Sequence, residues 1–131
     1  MARTEKDVEA YLFGLGRSWE RLESGAFVVQ SANETPTVVA IAGDLVVVRV
    51  LIGAFQLANP ERESRLFRCL LEHNASDLIH CAYGIEENHI VLSASLQIEN
   101  LDMNELAGVL DDIDIALVRD VNELRKLCET D

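Results

Sequence analysis

Cysteine is scarce in this chain: Cys69, Cys81 and Cys128 make an odd set of three, with no C-x-x-C pair among them. That excludes a disulfide framework and the ordinary zinc modules, and it fits a reducing cytoplasm. Basic residues are also few, 11 against 23 acids, for a formal net charge of -12. A surface of that sign repels phosphate backbones, so nucleic acid is not an expected partner. No apolar run approaches the length that crosses a bilayer, so no integral membrane segment is expected. Residues 1–7 carry charges of both signs and lack the apolar core of a signal peptide. Glycine-rich phosphate loops, H-E-x-x-H and G-x-S-x-G are absent, which leaves no signature of an enzyme and no implied cofactor.

What remains is ample core. With 131 residues and 49% hydrophobic content, residues 1–131 are expected to form a single domain burying roughly two-thirds of its unfolded surface. The clearest pattern spans residues 78–98. Residues 78–85 are apolar and partly aromatic, Glu86-Glu87-Asn88 supplies turn chemistry, and residues 89–98 alternate. Ile90, Leu92, Ala94, Leu96 and Ile98 share one face, and Val91, Ser93, Ser95 and Gln97 share the other, the signature of a half-buried hairpin strand.

Upstream, Thr4 followed by Asp7 predicts a capped helix whose stripe, Val8, Leu12, Leu15, Trp19 and Leu22, would run to Ser24-Gly25. Strands are then expected over 26–32, 37–42 and 45–52, separated by Asn33-Glu34-Thr35-Pro36 and by Gly43-Asp44. The strand at 45–52 is apolar on both faces: Val46, Val48, Val50 and Ile52 on one, Leu45, Val47 and Leu51 around Arg49 on the other. Either a covering element lies on that second face, or it is a docking surface for another chain.

Residues 53–57 are less regular, and Asn59-Pro60-Glu61 then opens a second helix. Its stripe is Leu66, Phe67, Leu70 and Leu71, and Arg62, Arg65 and Arg68 form the only dense basic row, read as a solvated face balanced by Glu61 and Glu72. Asp102 with Glu105, flanked by Leu101 and Leu106, predicts a capping box with a hydrophobic staple at the start of a last helix. Leu106, Val109, Leu110, Ile113, Leu117, Val121 and Leu124 form its stripe; Asp111, Asp112 and Asp114 read as a solvated acidic flank. Ile115 and Val118 project off the stripe, as candidates for a dimer or partner contact. Residues 128–131 are expected to fray.

Cys69 and His73 stand one turn apart on the second helix, whereas His80 and Cys81, adjacent on an expected strand, point to opposite faces. No fourth ligand lies at recognisable spacing, so neither a metal site nor a Cys-His nucleophile is expected. A metal protein or enzyme built on Cys69, His73 and His80 stays as the alternative of another class.

The succession helix, three strands, helix, two strands, helix resembles the small class I type III secretion chaperones and their relatives. Leu70-Leu71-Glu72-His73-Asn74 is similar to the Leu-Leu-x-x-Asn that closes their second helix. Tyr83-Gly84-Ile85 with Val91-Leu92-Ser93 resembles their last hairpin, and Leu101-Asp102 with Leu106 the entry to their last helix. Within that group the chain looks closer to the YbjN-like and YjfI-like bacterial proteins. The resemblance implies an α+β fold, a twisted antiparallel sheet packed against helices, in a homodimeric, chaperone-like, protein-binding module. By position, Leu45, Val47, Arg49 and Leu51 would contribute to the client groove, and Phe67 and Leu71 would lie at or near the dimer contact. The rival within the same class is an adaptor or regulator of a bacterial envelope-stress system that binds one folded partner.

Overall fold

The computed structural model describes residues 4–55 and 59–128. Expectations for residues 1–3, 56–58 and 129–131 lie outside them. The first helix, α1 (Glu5–Gly14), begins as its sequence dictates: the Asp7 carboxylate accepts from the Thr4 backbone N–H at 2.7 Å and from the Thr4 hydroxyl at 3.1 Å. It stops eight residues short of the expected Leu22. Leu15 caps it, and Gly16 takes φ +71, a conformation glycine reaches without the Cβ penalty. Trp19 and Leu22 therefore do not extend the helical stripe. Trp19 opens a short edge strand, β1 (Trp19–Arg21), and meets Phe27 edge-to-face at 5.6 Å between ring centroids.

Next come β2 (Phe27–Ser31), β3 (Thr35–Ala42) and β4 (Leu45–Ala54). A 3-10 turn (Ala32–Glu34) joins β2 to β3 with Asn33 at φ 59, and Gly43-Asp44 closes the β3–β4 hairpin with Gly43 at φ +60. Helix α2 (Pro60–Ser76) is capped by Asn59, whose side chain accepts from the Glu61 N–H at 2.9 Å, with proline in the first turn. The last hairpin is β5 (Ala82–Glu86) and β6 (His89–Gln97), turned by Glu87 and Asn88, both at positive φ. Helix α3 (Met103–Arg119) starts with the expected box: Asp102 accepts from the Glu105 N–H at 2.8 Å, and Glu105 from the Asp102 N–H at 3.2 Å. A break at Asp120 separates it from α4 (Val121–Cys128).

The result is an α+β fold in which one six-stranded antiparallel sheet, ordered β1-β2-β3-β4-β6-β5, packs against helices. The expected succession of elements stands, with an added edge strand and a broken last helix. Alternation decides the core. Phe27, Val29, Val39, Val46, Val48, Val50, Ile90 and Leu92 all point to the helix side and are buried with Val8, Leu12, Leu66, Leu106, Leu110, Ile113 and Leu124. At roughly 25 cal/mol per Å² of apolar surface removed from water, this layer is the main source of stability.

Residues 78–81 depart from the expected strand. Asp112, from the middle of α3, accepts from the backbone N–H of Ile79 (3.1 Å) and His80 (2.8 Å) and from Cys81 Sγ (3.2 Å). Backbone donors captured by a side chain cannot join a strand ladder, and β5 starts only at Ala82. The acidic flank is corrected by the same contacts. Asp112 is buried, Asp114 accepts from the Ala32 N–H at 2.9 Å and pairs with Arg17 at 2.9 Å, and Asp111 alone stays solvated, beside Arg17.

Candidate functional site

The outer face of β4 is formed by Leu45, Val47, Arg49 and Leu51, the expected client-contact residues, and the sheet places all four on the side away from the core. Leu45 is 39% and Leu51 61% exposed, and Val47 and Arg49 are half-buried. Register extends the face. Val38 and Ala40 on β3 stand opposite Arg49 and Val47, and Ser95, Ser93 and Val91 on β6 stand opposite Val47, Arg49 and Leu51. None of these residues is buried. Sequence reasoning did not include Val38 and Val91; the period-two alternation of β3 and β6 would have found them, given the strand order. Arg49 is already paired within the chain, to Glu86 of β5. Such an exposed pair contributes about 0–1 kcal/mol, so a carboxylate or carbonyl from another chain can displace Glu86 cheaply.

A second apolar surface lies where α2 meets the edge strand β5. Leu71 is 67% exposed, Ile85 projects beside it, and Phe67 is half-buried with its ring edge-to-face on Phe55 at 5.8 Å. Phe67, Leu71 and Ile85 border a cavity of about 250 Å³ whose floor includes Leu70 and Tyr83. Asn74, the last residue of the Leu-Leu-x-x-Asn stretch, holds this junction together. Its amide donates to the Tyr83 carbonyl at 3.1 Å, and its carbonyl accepts from the Tyr83 N–H at 2.7 Å. Both backbone groups of an edge residue are thus satisfied by one helix side chain. Ile115 and Val118, also expected contacts, are exposed on α3.

Polar chemistry gathers at the break between α3 and α4. Asp120 is 1% exposed and accepts from Tyr83 Oη (2.9 Å) and bidentately from Arg119 (2.7 and 3.2 Å). Burial, then the neighbouring Asp120 charge, pushes the Tyr83 hydroxyl far above its ordinary range. His73 Nδ1 lies 2.7 Å from Asp77 and 3.7 Å from Asp120. Cys69 Sγ donates to Glu123 of α4 at 3.6 Å; burial and then that carboxylate raise the thiol to about 11. Burial and Asp112 raise Cys81 to about 12. Thiols held protonated in this way are poor nucleophiles. His80 is elsewhere, its ring packed against Gly108 of α3, so the trio Cys69, His73 and His80 of the alternative reading is not assembled. Glu123 was not predicted here, because 54 residues of chain separate it from Cys69; Asp77, one turn beyond His73, could have been found from the i,i+4 spacing.

Among the described residues no helix is long and apolar enough to cross a membrane. The fold has solved counterparts. One chain of the heterodimeric ExoU–SpcU complex from the type III secretion system of Pseudomonas aeruginosa aligns over 93% of this chain and 98% of its own, with TM-score 0.68 and 19% identity. YbjN from E. coli, described as a putative transcription regulator, aligns over 90% of this chain and 94% of its own, with TM-score 0.60 and 13% identity. No curated protein matches in sequence. The family model CesT_Tir_1 matches residues 1–130. A match over nearly the whole length makes this chain a member of the CesT_Tir_1 family, within the type III secretion chaperone-like superfamily.

Proposed function

We propose that this protein is a non-catalytic, chaperone-like module of the cytoplasm that works as a homodimer and holds an apolar segment of a partner protein on the outer face of β4. The observation carrying the reading is the run Leu45, Val47 and Leu51, widened by Val38 and Val91, left apolar and unburied in the middle of the sheet. Central strands with a free apolar face are uncommon in proteins that function alone. Family membership supports a protein-binding, chaperone-like role. An extended or helical client segment would lay alternate apolar side chains on this face, with Arg49 exchanging Glu86 for a client acceptor.

Magnitudes limit what that face achieves unaided. Covering about 400 Å² of apolar surface, the scale of the largest patch on a typical monomer, contributes about 10 kcal/mol at ~25 cal/mol per Å². Association entropy opposes this by about 4–15 kcal/mol. Backbone pairing at a sheet edge is therefore part of the reading, because it adds affinity with little sequence selectivity.

Affinity purification of the tagged protein from its native host, with mass spectrometry, tests the face. Val47→Asp should reduce recovery of the specific partner at least tenfold, the scale of 1.4 kcal/mol. Phe13→Asp, at an exposed position on α1, should leave recovery unchanged, as should the fold by circular dichroism in both variants. Equal recovery with Val47→Asp would remove β4 as the site. A single folded partner recovered at one-to-one would make the protein an adaptor instead of a chaperone.

For the homodimer, the Phe67, Leu71 and Ile85 surface is favoured because it is apolar and lies where α2 meets the edge strand β5. Ile115 and Val118 would form the second contact. Sedimentation equilibrium should find a dimer that Leu71→Asp weakens by roughly 100-fold, as expected when a charge enters an apolar interface at a cost of about 3 kcal/mol. A monomer in the unmodified protein at micromolar concentration would refute the dimer.

A further inference from the structure

We propose that Cys69, His73 and Glu123 bind a transition-metal dication, with zinc the expected occupant, and that the ion clips α2 to α4. The inference is independent of the chaperone reading. Cys69 and His73 are four residues apart on α2 and so lie on one helical face, across which α4 returns to bring in Glu123. One donor atom from each of the three lies within 4.8 Å of the other two. The Sγ to Oε1 separation, 3.6 Å, is close to the roughly 3.5 Å between two ligand atoms on a tetrahedral zinc.

The imidazole is set up for the task. Its Nδ1 is 2.7 Å from the Asp77 carboxylate, so that nitrogen is engaged within the chain and Nε2 is the ring atom left to meet a metal. That Nε2 is the one buried side-chain nitrogen or oxygen without a hydrogen-bond partner among the described residues. Buried polar atoms are nearly always satisfied in native proteins, so Nε2 is a donor available to an ion. A carboxylate behind the ring with the far nitrogen free is the arrangement that orients metal-bound histidines. Asp120, 3.7 Å from Nδ1, adds negative charge behind the ring.

The donor set chooses the ion. A thiolate and an imidazole with one carboxylate select borderline and soft cations over magnesium and calcium. Three protein ligands leave a fourth position for water or a residue of another chain. Cys69, His73 and Glu123 all line one surface cavity of about 440 Å³, which supplies an entry path. On binding, the Sγ–H bond breaks, its proton leaves to solvent and a sulfur lone pair forms the bond to the metal, with no change of oxidation state. The expectation of no metal site rested on the lack of a fourth ligand at recognisable spacing along the chain; the structure sets Glu123 of α4 beside Cys69 and His73.

The test uses the reduced, full-length protein stripped by chelator and titrated with Co²⁺ alone. A sulfur-to-cobalt charge-transfer absorption should saturate at one ion per chain and vanish when Zn²⁺ is added. Cys69→Ser should abolish it, while Cys81→Ser and Cys128→Ser retain it. Glu123→Gln, at an exposed position that spares folding, and Asp77→Asn should each weaken Co²⁺ binding by about 10–100-fold. No saturable band in the unmodified protein, a band surviving in Cys69→Ser, or unchanged affinity in Glu123→Gln would overturn the assignment.

Discussion

Asp112→Ala should destabilise the protein by about 3 kcal/mol, read from the midpoint of urea unfolding at constant slope, whereas Asp111→Ala should cost less than about 1 kcal/mol. The two neighbours differ only in where α3 puts them. Asp112 is buried and accepts from two backbone N–H groups and one thiol; Asp111 is 70% exposed at the side chain and makes one ion pair with Arg17. Removing Asp112 leaves the donors of Ile79, His80 and Cys81 without their acceptor, and each group so orphaned costs about 1–3 kcal/mol, less where water reaches it. Amide exchange at Ile79 and His80 should quicken in the same variant. A loss below about 0.5 kcal/mol would mean that residues 78–81 are held by packing alone.

The same carboxylate sets an acid limit. Burial on its own would raise its pKa, but the hydrogen bonds from His80, Cys81 and Ile79 outweigh it, and the group ends below its ordinary value of 3.8. A depressed folded-state pKa stabilises the native state above the unfolded value and loses that contribution as pH falls through the folded one. Unfolding at acid pH should therefore show a stability loss below about pH 3.8 that Asp112→Ala no longer shows.

Asp120→Ala is the second large effect, expected at about 3 kcal/mol in metal-free buffer, against about 1 kcal/mol for Tyr83→Phe. Tyr83→Phe removes one hydrogen bond and leaves Asp120 paired with Arg119. Asp120→Ala does more: it strands the Tyr83 hydroxyl in the interior and frees Arg119 from the carboxylate that holds its pKa up. The double variant should cost less than Asp120→Ala alone, because removing the stranded hydroxyl relieves the penalty that Asp120→Ala created. Additive costs in that cycle would show that the contact between Tyr83 and Asp120 contributes no coupling.

Much of the fold was readable along the chain because its signals are local. Caps at Thr4, Asn59 and Asp102 fix helix starts through groups three residues away or fewer. Period-two alternation in β4 and β6 assigns the core face without knowing what covers it. The reading failed at Trp19, where a period of three and four ran on past Gly14 and Gly16. Gly16 at φ +71 turns the chain out of the helix, and Trp19 then packs on Phe27 from the edge strand.

Local periodicity, turn chemistry and capping pairs by themselves determined the main elements, their order and which strand faces are apolar, because each depends on residues within a few positions of one another; β1 and the break before α4 were not among them. Only the tertiary structure decided which acid of the Asp111, Asp112 and Asp114 run is buried, that Glu123 meets Cys69 and His73, and that Leu45, Val47 and Leu51 stay uncovered. Those outcomes turn on donors and covering surfaces supplied by chain segments far away in sequence, and a carboxylate or a valine carries no local mark of what the rest of the molecule will bring to it.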